Sequence, residues 1–169
     1  CAAVYTSNRF QAAPVLWSKG VTTGGVLDAV VLNSGGANAC TGPDGLADAK
    51  STAALVADAI GSAPGRVAVC STGLIGVRLP MDAVAHGVTL ASGALSPDGG
   101  ADAALAIMTT DTVPKTAVAT GAGWTVGGMA KGAGMLAPAL ATMLVVITTD
   151  AVLTSRSEEH TSELQSQNA

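Results

Sequence analysis

The sequence predicts a mixed α/β fold with a closely packed core. Short runs of β-branched residues alternate irregularly with segments whose apolar residues recur every three or four positions. Hydrophobic residues make up 49% of the 169 positions, whereas aromatic residues make up only 2%. The core must therefore be built mainly from Ala, Val, Leu and Gly, and we expect backbones to approach one another closely.

Six short runs rich in apolar and β-branched residues predict strands. In chain order they cover residues 2–5, 26–32, 66–70, 115–119, 124–129 and 143–147. The second run enters a predicted tight turn at 33–36, and the third is expected to break at Ser71-Thr72-Gly73. A Gly-rich turn joins the fourth and fifth runs, which indicates a β-hairpin.

Three segments show the apolar spacing of a helix, and they cover residues 46–60, 81–88 and 101–108. Gly61 is suited to end the first of these helices. Pro80 suits the first turn of the second, and Asp98 is predicted to cap the third.

Composition and charge exclude several functional classes. Eight basic and twelve acidic residues give a net charge of −4, which argues against nucleic-acid binding. The longest apolar run, residues 137–147, is too short to cross a bilayer. The three cysteines form no Cys-x-x-Cys pair, so a disulfide framework and a structural zinc site are disfavoured. We expect the cysteines to be small buried residues in a reduced, cytoplasmic protein.

The two ends of the chain are predicted to be non-native. The chain begins with Cys1 and an apolar run, as if cut within a domain. Glutamate occurs only at positions 158, 159 and 163, and apolar periodicity is lost from Arg156 onward. The run 156–166 resembles the translation of a common sequencing adapter, the alternative being a genuine acidic linker. We therefore exclude residues 156–169 from the predicted fold and expect them to pack against nothing.

Two polar features have ordinary structural interpretations. The Gly-rich stretch 33–38 lacks the Gly-Lys-Ser/Thr ending of a phosphate-binding loop, and close packing behind a strand explains it better. Asp111 and Asp150 could form a carboxylate pair, but a helix-cap or turn role is favoured for each.

One segment points to a specific chemistry. The run Lys131-Gly-Ala-Gly-Met-Leu-Ala-Pro138-Ala-Leu-Ala141-Thr142-Met-Leu resembles the signature of the bifunctional ornithine acetyltransferase / N-acetylglutamate synthase family of arginine biosynthesis. Six further blocks resemble family motifs and follow in family order: Thr6-x-Asn8-x-Phe10-x-Ala-Ala-Pro14, Asn33-Ser-Gly-Gly-Ala-Asn-Ala-Cys-Thr-Gly42, Cys70-Ser-Thr-Gly-Leu-Ile-Gly76, Leu79-Pro-Met-Asp82, Ile107-Met-Thr-Thr-Asp111 and Gly127-Gly-Met-Ala-Lys131. The resemblance covers residues 1–152.

The resemblance implies a fold and a self-cleavage reaction. The family fold is an α/β sandwich related in style to N-terminal-nucleophile hydrolases. Family members cut themselves at the bond that corresponds to Ala141–Thr142. The domain would then divide into an α-chain part, residues 1–141, the start of a β chain, residues 142–155, and the non-native tail, residues 156–169. The α and β chains of one precursor are expected to form a heterotetramer.

The resemblance also implies an acetyl-transfer mechanism. Thr142 would carry the acetyl group from N-acetylornithine to glutamate, with the hydroxyl of Thr72 and the N–H of Gly73 as the oxyanion hole. Lys131 and either Thr109 or Thr110 would bind the amino-acid substrate. No metal or nucleotide is implied, and some members also use acetyl-CoA as the donor. The alternatives are a self-cleaving aminopeptidase of the same fold and an inactive fragment.

Two expectations about structure follow from this assignment. Thr72, Gly73, Thr109, Lys131 and Thr142 should line one concavity, with Thr142 within about 15 Å of Gly73. The apolar surface of residues 143–147 should be exposed in this chain, because the continuation of the β chain is expected to cover it.

Overall fold

A computed structural model describes residues 1–132 and 142–153, and within them the fold is mixed α/β, as the sequence predicts. The α-helices are α1 (Ala13–Thr22), α2 (Gly42–Ile60), α3 (Met81–Gly93) and α4 (Gly100–Ala106). The strands are β1 (Ala29–Gly36), β2 (Val67–Leu74), β3 (Lys115–Gly121), β4 (Trp124–Lys131) and β5 (Leu144–Thr149). A 3-10 turn, Pro64–Arg66, leads into β2.

The first sheet is a parallel pair, β1 and β2, which α2 connects. Parallel neighbours need such a crossover, because a short turn cannot return the chain to the same end of the sheet. The core lies between this pair and the helices, and small side chains dominate it. Its buried members are Ala53, Val56, Ala57, Val67, Val69 and Val88. The expectation of a core made from small aliphatic residues is confirmed.

Helix α1, which the apolar pattern does not reveal, binds along β2 through polar side chains. The Ser18 hydroxyl donates to the carbonyl of Val69 at 2.8 Å and accepts from its N–H at 2.9 Å. The indole N–H of Trp17 donates to the carbonyl of Val67 at 3.0 Å. Ser18 is 2% exposed, so one of the most buried positions of α1 is polar, and hydrophobic periodicity fails there.

We expect Ser18→Ala to destabilise the protein by about 1–3 kcal/mol, because it leaves the N–H and C=O of Val69 buried without their partner. Chemical denaturation of the complete protein measures the change. The control is Ser92→Ala, since the half-buried Ser92 donates its hydroxyl to the Thr89 carbonyl of its own helix, at 3.0 Å, and makes no described contact with β2. Equal stability of the Ser18 and Ser92 variants would contradict this role for Ser18.

The second sheet is antiparallel, in the order β3-β4-β5. The predicted hairpin is confirmed as β3 and β4, with Gly121 paired to Trp124 at the turn. Met143, Val145 and Ile147 are 66%, 44% and 45% exposed. The predicted exposure of apolar side chains in this segment is therefore confirmed for these three residues.

Several predicted boundaries are wrong. Residues 2–5 form no strand. The predicted turn at 33–36 is instead the second half of β1, and β2 continues through Ser71-Thr72-Gly73 to Leu74. Helix α4 begins at Gly100 without a side-chain cap, so Asp98 does not cap it. In contrast, Gly61 ends α2 in the left-handed conformation, at φ 71° and ψ 40°, as predicted.

The strands continue because glycines let the two backbones stay in contact. Gly35 pairs with Gly73, and a Cβ atom at Gly73 would lie 2.3 Å from the carbonyl carbon of Gly35. Gly73 has φ +129°, a conformation that a side chain would strain. Gly-rich sequence therefore indicates close strand contact here, whereas the local pattern predicts a turn.

The expectation that the cysteines are buried is wrong for two of the three. Cys1 and Cys40 are exposed, and Cys70 is half-buried on β2, where burial raises the pKa of its thiol. In the described parts of the chain, no cluster of His, Cys, Asp or Glu is arranged to bind a metal ion. Within the same residues, no helix has the length and apolar character that crossing a bilayer requires. Residues 154–169, which include the predicted foreign tail, lie outside the described residues.

Candidate functional site

The C-terminal end of β2 carries Thr72 and Gly73, and contacts on two sides fix its position. Ser71 donates its hydroxyl proton to the Asn33 side-chain oxygen at 2.6 Å, which joins β2 to β1. Arg78, just beyond the strand, bonds to both carboxylate oxygens of Asp48 on α2, at 2.9 and 2.7 Å. The end of β2 is thus attached to its neighbouring strand and to the crossover helix.

Helix α4 brings Thr109 towards this strand end. The hydroxyl of Ser34 on β1 donates to the carbonyl of Ala106, the last residue of α4, at 2.8 Å. Ile107, the next residue, is 3% exposed and anchors the segment in the core. Two residues later the chain reaches Thr109, beside the end of β2.

Lys131, the last residue of β4, joins these two segments. Its side chain is 4% exposed, and its ammonium donates to the Thr72 hydroxyl at 3.0 Å and to the Thr109 hydroxyl at 2.6 Å. The structure therefore brings Thr72, Thr109 and Lys131 together from three segments far apart in sequence. Lys131 is thus a buried cation at the end of a strand.

Of the two candidate threonines, Thr109 is the one that contacts Lys131. The bond from the Lys131 ammonium is to the hydroxyl of Thr109. That either residue contacts a substrate stays a prediction.

Asp111 is a further member of this cluster that sequence reasoning missed. Its buried carboxylate bonds to the ammonium of Lys115 and accepts the N–H of Gly132 at 2.8 Å. It also accepts the N–H of Thr109 at 3.4 Å and lies 3.8 Å from the Lys131 ammonium. The Lys115 hydrogen bond, followed by that from Gly132, holds the pKa of Asp111 well below its ordinary value.

The sequence contained a weak signal for this arrangement. Asp111 precedes Lys115 by four positions, the spacing of a charged pair on a helix, but here the pair bridges a loop and the start of β3. The possible pairing of Asp111 with Asp150 is wrong. Asp150 accepts the N–H of Thr125 at 2.6 Å, near the opposite end of β4 from Lys131.

Thr142 lies at the same end of the antiparallel sheet as Lys131. It precedes Leu144 by two residues, and Leu144 pairs directly with Lys131. Paired residues in such sheets have Cα atoms about 5 Å apart, and two further residues span at most about 7 Å. The Cα atom of Thr142 is therefore within about 12 Å of that of Lys131. Ala141 lies outside the described residues, and the predicted distance from Thr142 to Gly73 stays a prediction.

The cluster combines groups that suit the chemistry of a carboxylate and a carbonyl. A buried ammonium can bind an anionic group, and hydroxyl groups can donate to a developing negative charge. The net charge of Lys131, Lys115 and Asp111 is positive, which favours an anionic ligand beside them. The described geometry therefore suits an anionic ligand.

Comparison with known proteins identifies relatives of this chain. The model of the ArgJ family matches residues 1–168. The arginine biosynthesis bifunctional protein ArgJ of Streptomyces coelicolor is 68% identical over 152 residues, and that of Thermobifida fusca is 60% identical over 153 residues. Each match covers 90% of this chain and 40% of the relative. The chain thus spans about 40% of the length of these relatives.

Solved structures show the same fold. The ornithine acetyltransferase of Mycobacterium tuberculosis, solved with ornithine, is 53% identical with a TM-score of 0.79, over 85% of this chain and 77% of that one. The protein ArgJ of Bacillus halodurans is 38% identical with a TM-score of 0.69, over 85% and 76% of the two chains. The family match includes residues 156–168, and the foreign origin of that segment stays a prediction.

Proposed function

Because this chain belongs to the ArgJ family of arginine-biosynthesis proteins, we propose that it is part of a glutamate N-acetyltransferase that uses Thr142 as its nucleophile. The acetyl group would pass from N-acetylornithine to Thr142 and then to glutamate. The observation that carries the proposal is the buried ammonium of Lys131, which donates to the hydroxyls of Thr72 and Thr109. Lys131 also pairs with Leu144, the first residue of β5, and Thr142 precedes that strand by two residues.

Self-cleavage would prepare the nucleophile. The hydroxyl oxygen of Thr142 attacks the carbonyl carbon of Ala141, and the peptide nitrogen leaves as the amine of Thr142. Water then hydrolyses the resulting ester, which releases the carboxyl group of Ala141 and the hydroxyl of Thr142. The new α-amine has a reference pKa of about 7.7–8.0, so it can act as a base for the hydroxyl of its own residue near neutral pH.

Acetyl transfer would then follow in two steps. The Thr142 hydroxyl attacks the acetyl carbonyl of N-acetylornithine and loses its proton to the α-amine, which passes a proton to the departing ornithine amine. The amine of glutamate next attacks the acetyl ester, forms N-acetylglutamate and returns a proton to the Thr142 oxygen. Each tetrahedral intermediate carries a negative oxygen that needs hydrogen-bond donors.

Thr72 and Gly73 are proposed to supply those donors. Peptide groups alternate sides along a strand. Both the N–H and C=O of Val69 point away from β1, towards Ser18. We infer that the same alternation directs the N–H of Gly73 away from β1. Each oxyanion donor is worth about 3 kcal/mol in an activation barrier.

Lys131 and Thr109 would bind the amino-acid part of both substrates. An α-carboxylate is common to N-acetylornithine and glutamate, and the buried Lys131 ammonium is a suitable partner for it. One binding site could therefore serve both half-reactions.

The threonines at 109 and 110 provide a matched test of this assignment. We expect Thr109→Val to lower kcat/KM by about tenfold to a hundredfold, because a hydrogen bond to a charged group is worth about 1.5–3 kcal/mol. Thr110→Val should change kcat/KM less than about twofold, within the small effect of most surface substitutions. Steady-state assays on the complete protein measure both, and a larger loss in the Thr110 variant would transfer the role to Thr110.

The proposed function is tested with the complete protein, meaning this chain together with the additional length that its relatives have. Incubation with N-acetylornithine and glutamate should produce ornithine and N-acetylglutamate in equal amounts. With N-acetylornithine alone, mass spectrometry should find one acetyl group on the peptide that begins at Thr142. Hydrolysis of peptides without acetyl transfer would favour the aminopeptidase alternative. If neither acetyl transfer nor peptide hydrolysis is observed, the result would favour an inactive protein.

Other properties follow the family resemblance. We propose that the α and β chains stay associated as a heterotetramer in the cytoplasm, and that the reaction needs no metal. Acetyl-CoA is a possible second donor. Replacing N-acetylornithine with acetyl-CoA in the same assay tests for the second donor, and addition of a chelator should leave the rate unchanged.

A further inference from the structure

Asp111 contacts both groups that the proposed function assigns to substrate binding. Its side chain is fully buried and lies 3.8 Å from the ammonium of Lys131. It also accepts the backbone N–H of Thr109 at 3.4 Å. No motif of the resemblance assigned it a role.

Electrostatics explains why Lys131 needs this carboxylate. The Lys131 side chain is 4% exposed, so its ammonium has lost most of its hydration, which is unfavourable unless an opposite charge compensates. Among the described residues, the hydrogen-bond partners of the Lys131 ammonium are the neutral hydroxyls of Thr72 and Thr109. Asp111 supplies the negative charge on this side of the ammonium.

The backbone contacts of Asp111 fix the geometry as well as the charge. One carboxylate oxygen accepts the N–H of Gly132, the residue after Lys131, at 2.8 Å. The other accepts the N–H of Thr109, so both ends of the Lys131–Thr109 hydrogen bond are attached to one side chain. Lys115, whose side chain is 44% exposed, donates to the same carboxylate oxygen of Asp111 as Gly132 does.

We propose that Asp111 is a positioning residue that holds Lys131 and Thr109 in the arrangement that binds the substrate carboxylate. In this proposal Asp111 does not touch the substrate and acts through Lys131. The inference rests on the proposed function, in which Lys131 binds that carboxylate. Because hydrogen bonds from Lys115 and Gly132 lower the pKa of Asp111, its carboxylate stays ionised throughout the pH range of an enzyme assay.

The experiment compares Asp111→Asn with Asp111→Glu in the self-cleaved, complete protein. Asparagine can still accept the Gly132 N–H, but it carries no charge to face Lys131. We expect the Asn variant to raise the KM for glutamate and for N-acetylornithine at least about tenfold, with kcat changed less than about threefold. The contact with the substrate carboxylate is the same in the ground state and in the transition state, so weakening it raises KM and not the barrier to reaction. The Glu variant keeps the charge and should stay within about threefold of the wild-type KM.

A matched control separates positioning from stability. Asp150 also accepts a strand N–H, from Thr125, but far from Lys131. We expect Asp150→Asn to leave both KM values unchanged, since loss of folded protein lowers the amount of active enzyme but not its KM.

A wild-type KM in the Asp111→Asn variant, or a KM raised more than tenfold in Asp111→Glu, would overturn the inference. If the Asp111→Asn variant does not fold, the KM of the Asp111→Glu variant still decides the test. A wild-type protein without acetyl transfer would instead overturn the proposed function, and this inference with it.

Discussion

A complete protein carrying Thr142→Ala is expected to remain one chain on a denaturing gel and to release no ornithine. Alanine has no hydroxyl to attack the Ala141 carbonyl, so neither the acyl shift nor the acetyl ester can form. The wild-type protein should appear as two chains, and N-terminal sequencing of one should begin at Thr142. Because removing a nucleophile can cost about 10⁶ in kcat, no other substitution proposed above should reduce turnover as strongly.

Two further variants make this test specific. Thr142→Ser keeps a hydroxyl and should retain cleavage and measurable transfer. Thr148→Ala removes an exposed threonine of β5, whose hydroxyl has only a 3.5 Å bond to the Gly127 carbonyl, and should behave as wild type. Cleavage at the same bond in the Thr142→Ala protein would disprove the nucleophile assignment.

Substitution of Gly73 should cause the largest loss of stability. A Cβ atom at Gly73 would lie 2.3 Å from the carbonyl carbon of Gly35 and 2.7 Å from the nitrogen of Gly36, and both are backbone atoms that cannot rotate away. The positive φ of Gly73 adds conformational strain. We expect Gly73→Ala to cost about 2–5 kcal/mol and to lower acetyl transfer in the protein that still folds.

The control for Gly73 is a glycine with the opposite expectation. Gly87 lies on an exposed part of α3, with open space where its Cβ atom would be. Gly87→Ala should stabilise the protein by about 0.5–1 kcal/mol, because alanine favours the helix. The midpoints of chemical denaturation of both variants measure these changes. A Gly73→Ala protein as stable as wild type would show that the strand ends separate easily.

Local patterns predicted the elements whose formation depends on their own residues. Helix α2 has a continuous apolar face and ends at Gly61, and the β3–β4 hairpin has two strand-forming runs joined by a glycine-rich turn. Helix α1 and the second half of β1 depend on partners distant in sequence. Ser18 binds β2, and Gly35 packs against Gly73. No local pattern shows such partners.

The candidate site divides in the same way. Motifs pointed to Thr72, Thr109 and Lys131, and the structure places these three in contact. Asp111 was assigned an ordinary turn or cap role, because a single acidic residue in a loop has many such uses. Its importance depends on the buried ammonium of Lys131, and only the three-dimensional arrangement of β2, β4 and the loop after α4 reveals it.

The contact between α1 and β2 also determines how the parallel sheet can grow. A new strand beside β2 would need the outward peptide groups of Val67 and Val69, but Trp17 and Ser18 already occupy them. The helix thus closes the first part of this edge, at Val67 and Val69, to strand addition. Covering a strand edge with a helix is also a common protection against aggregation. A strand that pairs along the full length of this sheet would therefore have to use the opposite edge, that of β1. Such an addition would turn β1 from an edge strand into the central strand of a larger sheet.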